Sequence, residues 1–149
     1  LGPFTLTGAQ TPAELKQWVA WCGSDTGMLN YIEQLLKDGS IKSAGEFIAQ
    51  DTQRLKHLLG FIADPGKSLN VRAGASALLE SYRGAAPLQQ LVPLLAELSQ
   101  HADHRVRADA CNLLGHSGSA TARPYLETCL KDTSAEVREI ATESLELID

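Results

Sequence analysis

The sequence predicts an all-α protein built from stacked helical hairpins. Three observations favour this fold class: apolar residues recur at helical spacing between short breaks, no stretch alternates apolar and polar residues as a strand would, and one helix-length motif occurs three times. The chain has 149 residues, which is enough to bury a hydrophobic core without disulfides or metal ions. We therefore expect a single domain over residues 1–149.

Four helices are predicted ahead of the repeated motif. Pro12 stands at the first position of one helix, which Gly23 ends. The next begins near Asp25 and stops at Gly39, with its leucines and isoleucine along one side. Two further helices are expected over about 43–49 and 52–62, and the turn "ADPGKS" follows them.

The repeated motif is itself the length of a helix. "NVRAGASALL" at 70–79, "RVRADACNLL" at 105–114 and "EVREIATESL" at 136–145 share Val-Arg, then Ala three residues after the Arg, then Leu four further on. From Val71 to Val106 is 35 residues, and from Val106 to Val137 is 31. Side chains at these spacings lie on one side of a helix, and the small alanine lets a neighbouring helix approach closely. The shared side is predicted to be a packing surface.

A more apolar helix precedes each copy of the motif, over residues 55–62, 87–98 and 122–130. Each such pair makes a helical hairpin, and the connections "YRGAAP" and "LGHSGSATA" supply the glycines that end helices. A single hairpin cannot bury both of its sides, so hairpins of this kind stack into a solenoid. We expect three hairpins over 52–149, with residues 1–51 forming degenerate repeats or a cap.

The motif and its spacing resemble HEAT repeats, in particular the short repeats related to bilin lyases, over about residues 52–149. The resemblance implies a right-handed α-α superhelix of the HEAT/armadillo-like kind and a protein-interaction or scaffolding role without catalysis. The family usually has an acidic residue a few positions before the Val. Here Asp103 and Asp132 lie at different distances from their Val, and Ser68 takes this place in the first copy, so a regular Asp–Arg ladder is not implied.

The resemblance also implies a binding surface, because in this family the Val-Arg helices line the inner curve of the solenoid. Positions two, five, six and nine after each Val then face away from the packing side. They are Ala73, Ser76, Ala77 and Glu80 in the first copy, Ala108, Cys111, Asn112 and Gly115 in the second, and Glu139, Thr142, Glu143 and Glu146 in the third. This surface grades from small to acidic and suits a protein or peptide with a basic segment. The alternative is that the last helix is acidic because it is a solubilising terminal cap.

Composition disfavours several classes of partner. The 13 Lys+Arg against 18 Asp+Glu give a formal net charge of −5, which repels nucleic-acid phosphates. The apolar runs are too short for a membrane span, and no secretory leader pattern is visible. Three widely spaced cysteines indicate a reducing compartment, and we expect a cytoplasmic location. The chain opens on Leu1 and ends in a helical pattern, which suggests a piece of a longer protein.

No motif predicts catalysis, a metal ion or a cofactor. "WCGSD" lacks the second cysteine of a redox pair, and Cys22 falls at the end of a helix, where the dipole disfavours a thiolate. "HADHRVRAD" is a weak metal candidate, since its His101 and Asp103 lie in a turn where capping residues are expected. "HSGSAT" and "ADPGKS" are interpreted as connecting turns. Two alternatives remain: a bilin-lyase-like chromophore-attachment domain and, less favoured, a HEAT-like DNA glycosylase.

Overall fold

The computed structural model describes residues 25–148, and this part of the chain is helical throughout without a β-strand. Its α-helices are α1 (Asp25–Lys37), α2 (Ile41–Ala49), α3 (Leu58–Ile62), α4 (Leu69–Glu80), α5 (Ala86–Gln89), α6 (Val92–Leu98), α7 (His104–Ser117), α8 (Arg123–Cys129) and α9 (Ala135–Ile148). Two 3₁₀ helices, Thr52–His57 and Ala120–Ala122, lead into α3 and α8. The all-α prediction is confirmed, while the helix expected over 12–22 and Cys22 lie outside the described residues.

The three copies of the motif are α4, α7 and α9, and their shared side is the packing surface that the sequence predicts. Eight of its nine Val, Ala and Leu side chains are fully buried: Val71, Ala75, Leu79, Val106, Ala110, Leu114, Val137 and Ala141. The ninth, Leu145, is half-buried and packs against the same core. Burial of a Val or Leu side chain contributes about 1.5–3 kcal/mol each, so this side holds the stack together.

The predicted hairpins are present. Helix α3 packs on α4, α6 on α7, and α8 on α9, while α7 also packs on α4 and, more extensively, on α9. The motif helices therefore form one layer, and the helices that precede them form the other. This two-layer order lets each hairpin bury the side that its neighbour leaves open.

The first layer is more broken than the sequence suggests. The helix expected over 87–98 is two helices, α5 and α6, which meet at Gln90 and Leu91. Pro93 is the cause: it has no N–H to donate and its ring would clash with the carbonyl group four residues earlier, so it fits only in the first turn of α6. Pro124 sets the start of α8 in the same way, after a 3₁₀ turn.

Glycines in the left-handed conformation end helices at the connections. Gly39 follows α1 with φ +75°, which confirms the predicted stop. Gly118 ends α7 with φ +66°, and Gly84 lies next to it with φ +69° and donates its N–H to the carbonyl oxygen of His116 at 3.0 Å. Residues other than glycine are strained in this conformation. These glycines therefore fix where helices end and where the connections between hairpins begin.

Helix α1 continues the layer of motif helices on the other side of α4. Lys67, just before α4, pairs with Glu33 of α1 at 3.1 Å. A Cβ atom at Gly74 would lie 2.8 Å from Cδ2 of Leu36, so α1 and α4 cross closely at this glycine. The continuation agrees with a repeat-like first segment, although a single domain over 1–149 stays a prediction.

Candidate functional site

The side of α4, α7 and α9 that points away from the core is called here the repeat face. It contains the predicted partner-binding residues, and most of them are accessible. Six are exposed: Ala73, Ala77, Glu139, Thr142, Glu143 and Glu146. Three are half-buried: Ser76, Glu80 and Asn112. Whether they bind a partner stays a prediction.

The expectation that Ala108 and Cys111 lie on an exposed surface is wrong. Ala108 is 2% exposed and Cys111 is 0% exposed. Gly115 is buried as well, since a Cβ atom there would lie 2.6 Å from Cβ of Ser144 on α9. The physical reason is that α7 is the middle helix of the layer: α9 crosses it closely, and α8 covers the flank that carries Cys111. The repeat face is therefore discontinuous at α7.

Glu80 and Asn112 are joined across α4 and α7. The side-chain amide of Asn112 donates to Oε1 of Glu80 at 2.6 Å. Both side chains are half-buried, and each satisfies hydrogen-bonding capacity of the other. The bond therefore helps to set the spacing of the two helices. Sequence spacing placed both residues on this face but did not reveal the bond between them.

A shallow cleft of about 310 Å³ lies at the beginning of the three motif helices. It is lined by residues of α4, α7 and α9: Leu69, Arg72, Ala73, Ser76, Arg105, Asp109 and Glu136. Leu69 is 81% exposed and presents an apolar side chain at the edge of the cleft. The cleft thus places the predicted residues Ala73 and Ser76 beside Leu69, which the motif pattern does not single out.

Two ion pairs link neighbouring hairpins, and the Arg72–Asp109 pair lies at this cleft. Nη2 of Arg72 lies 2.7 Å from Asp109, and the guanidinium of Arg107 donates to both oxygens of Asp132 at 2.9 and 3.0 Å. Burial raises the pKa of Asp109 although Arg72 opposes the shift. Burial also acts to raise the pKa of Asp132, but hydrogen bonds from Arg107 and from the N–H of Ser134 lower it below its usual value. Aspartate–arginine ion pairs thus join consecutive repeats. The sequence pattern did not indicate that Asp109 would be the partner of Arg72.

The motif arginines also close their own hairpins. Nη1 of Arg72 donates to the carbonyl oxygens of Ile62 and Asp64 at 2.9 and 2.7 Å. Arg107 donates in the same way to the carbonyl oxygens of His101 at 2.9 Å and Ala102 at 3.0 Å, and Arg138 donates to that of Asp132 at 2.6 Å. These carbonyl groups lie at or just after the end of the preceding helix, where helical partners are lacking, so the arginine caps them.

The exposed side of α9 carries a row of four glutamates, which is called here the acidic row. Glu136, Glu139, Glu143 and Glu146 are three or four residues apart, and all are exposed. This spacing aligns them along one side of the helix. Glu136 also lines the cleft, so the acidic row begins where the cleft ends.

The residues of the weak metal candidate are engaged in local structure. Nδ1 of His101 accepts the N–H of Asp103 at 3.0 Å, and Asp103 caps α7 by accepting the N–H of Arg105 at 2.8 Å. Hydrogen bonds from the side chain and the N–H of Arg105 hold the pKa of Asp103 well below its usual range. Over residues 25–148, no three His, Cys, Asp or Glu side chains gather where they could hold a metal ion.

The residues of the other two turn motifs also form hydrogen bonds that stabilise the local structure. In "HSGSAT", the buried hydroxyl of Ser117 donates to the carbonyl oxygen of Leu114 at 2.6 Å, and Ser119 caps the following 3₁₀ helix. In "ADPGKS", Asp64 accepts the N–H of Gly66 at 2.8 Å and Ser68 caps α4. The serine hydroxyls of these two turns therefore begin or end helices, and Lys67 pairs with Glu33 of α1 at 3.1 Å.

Comparison with known families agrees with this geometry. A family model described as HEAT repeats matches residues 55–146, which is more than half of the chain. The chain belongs to the HEAT-repeat family. Proteins of this family typically mediate protein–protein interaction or scaffolding and are generally non-catalytic. No curated protein matches the sequence significantly. Within the described part of this HEAT-repeat chain, no helix is long and apolar enough to cross a lipid bilayer.

Proposed function

We propose that this HEAT-repeat chain is a non-catalytic interaction module, part of a longer protein, that binds a protein or peptide with a basic segment along its repeat face. The observation that carries the proposal is the continuity between the cleft at Leu69 and the acidic row, since Glu136 belongs to both. An apolar anchor beside a row of like charges favours a ligand with an apolar residue followed by basic ones. The cytoplasmic location stays a prediction.

The dimensions of α9 define the ligand further. Ten residue-to-residue steps of helix separate Glu136 from Glu146, which is about 15 Å at 1.5 Å per step. An extended peptide covers this length with about five residues at 3.3 Å each. Alternate side chains of such a peptide point to the same side, so two or three Lys or Arg residues at every second position would meet the glutamates. The expected ligand is therefore an apolar residue and a short alternating basic stretch.

Selection of peptides from a random displayed library against the immobilised protein tests this proposal. We expect enrichment of peptides that combine an apolar residue with several Lys or Arg residues, and an affinity that falls as salt rises. A double variant, Glu139→Lys with Glu143→Lys, should weaken the selected peptides by about tenfold or more, since each exposed pair contributes up to about 1 kcal/mol.

The matched control is Glu46→Lys with Glu97→Lys. Both glutamates are exposed, on α2 and α6, and the change in net charge is the same. Equal weakening by the two double variants would show a general charge effect and would favour the solubilising-cap interpretation of α9. A protein that purifies with a coloured tetrapyrrole, or that binds DNA more tightly than any peptide, would overturn the proposal in favour of the lyase-like or glycosylase alternative.

A further inference from the structure

Two buried thiols meet between the second and third hairpins. Cys111 lies in the middle of α7, and Cys129 is the last residue of α8. Both are reduced and buried. The side chains of Cys111 and Cys129 are close enough to interact directly. Cys129 also donates to the carbonyl oxygen of Ser99, with Sγ and O 3.8 Å apart. Two sulfur atoms must face each other before a disulfide of about 2 Å can form, and the fold provides this contact.

The two thiols differ in their access to solvent. Cys129 lines an open cleft of about 820 Å³ at the end of α8, whereas Cys111 lies behind it with no exposed surface. Arg107 and Lys131 line the same cleft together with Glu127 and Asp132. Cys129 is itself only 2% exposed, so a small oxidant meets it at the wall of the cleft and reaches Cys111 only past Cys129.

The two thiols also differ in acidity. The interaction with Cys111 lowers the pKa of Cys129, while burial and Asp132 oppose this shift. The same interaction and burial together raise the pKa of Cys111. Because the thiolate is the reactive form of cysteine, Cys129 is the better nucleophile of the pair and Cys111 is suited to react second.

We propose that Cys111 and Cys129 are an oxidisable dithiol, which hydrogen peroxide converts into a disulfide that links α7 to α8. In the first step the Cys129 thiolate attacks one peroxide oxygen, the O–O bond breaks, and hydroxide leaves and takes up a proton to become water. In the second step the Cys111 sulfur attacks the sulfur of the Cys129 sulfenic acid, an S–S bond forms, and the S–O bond breaks. The departing hydroxide takes the Cys111 proton. The two thiols together lose two electrons and two protons, and one peroxide becomes two waters.

The disulfide would join consecutive repeats, since α7 closes the second hairpin and α8 opens the third. It would therefore limit how far these two hairpins move relative to each other, at the junction between the two layers. The modification does not depend on the proposed partner, so the two proposals fail separately.

Mass spectrometry of the whole chain tests the dithiol. The reduced, folded protein is treated with hydrogen peroxide, quenched with catalase and alkylated without a reductant. We expect a mass decrease of two hydrogens, one remaining alkylated cysteine at Cys22, and a cross-linked peptide pair that contains Cys111 and Cys129. Dithiothreitol should restore both thiols, because a disulfide is reversible and sulfinic acid is not. The control variant Cys22→Ser should show the same loss and no alkylated cysteine.

Two single variants test the order of the steps. Cys111→Ser should accumulate a Cys129 sulfenic acid that dimedone traps, while Cys129→Ser should leave Cys111 reduced after the same treatment. If either variant fails to fold, the wild-type and Cys22→Ser measurements still decide the matter. The proposal is overturned if peroxide modifies Cys22 while Cys111 and Cys129 stay reduced, or if the cross-link that forms includes Cys22.

Discussion

Replacement of Gly115 by alanine tests the closest approach between two motif helices. The added Cβ atom would lie 2.6 Å from Cβ, 2.8 Å from Cα and 3.0 Å from the carbonyl oxygen of Ser144. Carbon atoms in contact are normally about 3.5–4.0 Å apart. Two of the three atoms belong to the backbone of α9, so no rotamer change relieves the overlap. Helices α7 and α9, which pack on each other more extensively than any other pair of helices in the described residues, must therefore move apart.

The expected magnitude is the difference between two opposing effects. Insertion of a methyl group into a packed interface costs about 1–3 kcal/mol. Replacement of glycine by alanine inside a helix returns up to about 1 kcal/mol. The free energy of unfolding should therefore fall by about 1–2 kcal/mol, and the Tm should fall by roughly 2–8 °C for a chain of this size.

Gly60→Ala is the matched control. Gly60 lies in α3, it is exposed, and no described atom outside its local helix stands within 4 Å of a Cβ placed there. The same chemical change should thus be neutral or stabilise by up to about 1 kcal/mol. Urea denaturation followed by far-UV circular dichroism measures both variants beside the wild type. If Gly115→Ala is as stable as Gly60→Ala, the close crossing of α7 and α9 is wrong.

The remaining predictions concern burial and charge. Ala75→Asp and Ala108→Asp bury a charge and should unfold the chain. Ala73→Asp, on the exposed side, should keep a free energy of unfolding within about 0.5 kcal/mol of wild type in urea melts. Equal stability of the three variants would refute the faces assigned to α4 and α7. Asp132→Asn should cost about 1–3 kcal/mol at neutral pH, because it weakens the bonds to Arg107. The folded pKa of Asp132 is lowered, so its stabilisation is present above an unfolded value of about 3.9 and is lost as pH falls through the folded value. The variant should therefore lose less stability than wild type on acidification, and identical acid profiles would contradict the pair.

The helices of the repeat could be predicted from the sequence because their packing fixes which residue types can occupy the buried side. A side packed on two neighbours must be apolar at every turn and small where helices cross, and Val71, Ala75 and Leu79 meet both demands. Proline has an equally local effect, and the break before Pro93 was missed because the apolar pattern runs through it without interruption. The ends of helices at Gly39 and Gly118 were predictable for the same local reason.

The repeat face was harder to predict because exposure depends on what covers a helix. Ala73 and Ala108 occupy the same position in the motif, but the first is exposed and the second is buried. A repeated sequence pattern treats all copies as equivalent, whereas the stack gives each helix different neighbours. Likewise, the partner of Arg72 was missed because Asp109 lies after the Val of the next repeat, and the pattern places acidic residues before it.

The arginine of the motif explains why the repeats of an acidic chain can each retain a basic residue. Arg72, Arg107 and Arg138 all direct a guanidinium N–H to carbonyl oxygens at the turn of their own hairpin. A planar group with five donors can cap such a turn and still reach a carboxylate on the next repeat, as Arg72 and Arg107 do. These charges are therefore used within the stack, and the partner that we propose would be recognised by the residues that differ between copies. The third copy differs most, since it alone supplies the acidic row, and α9 is for that reason the helix whose surface should decide what this chain binds.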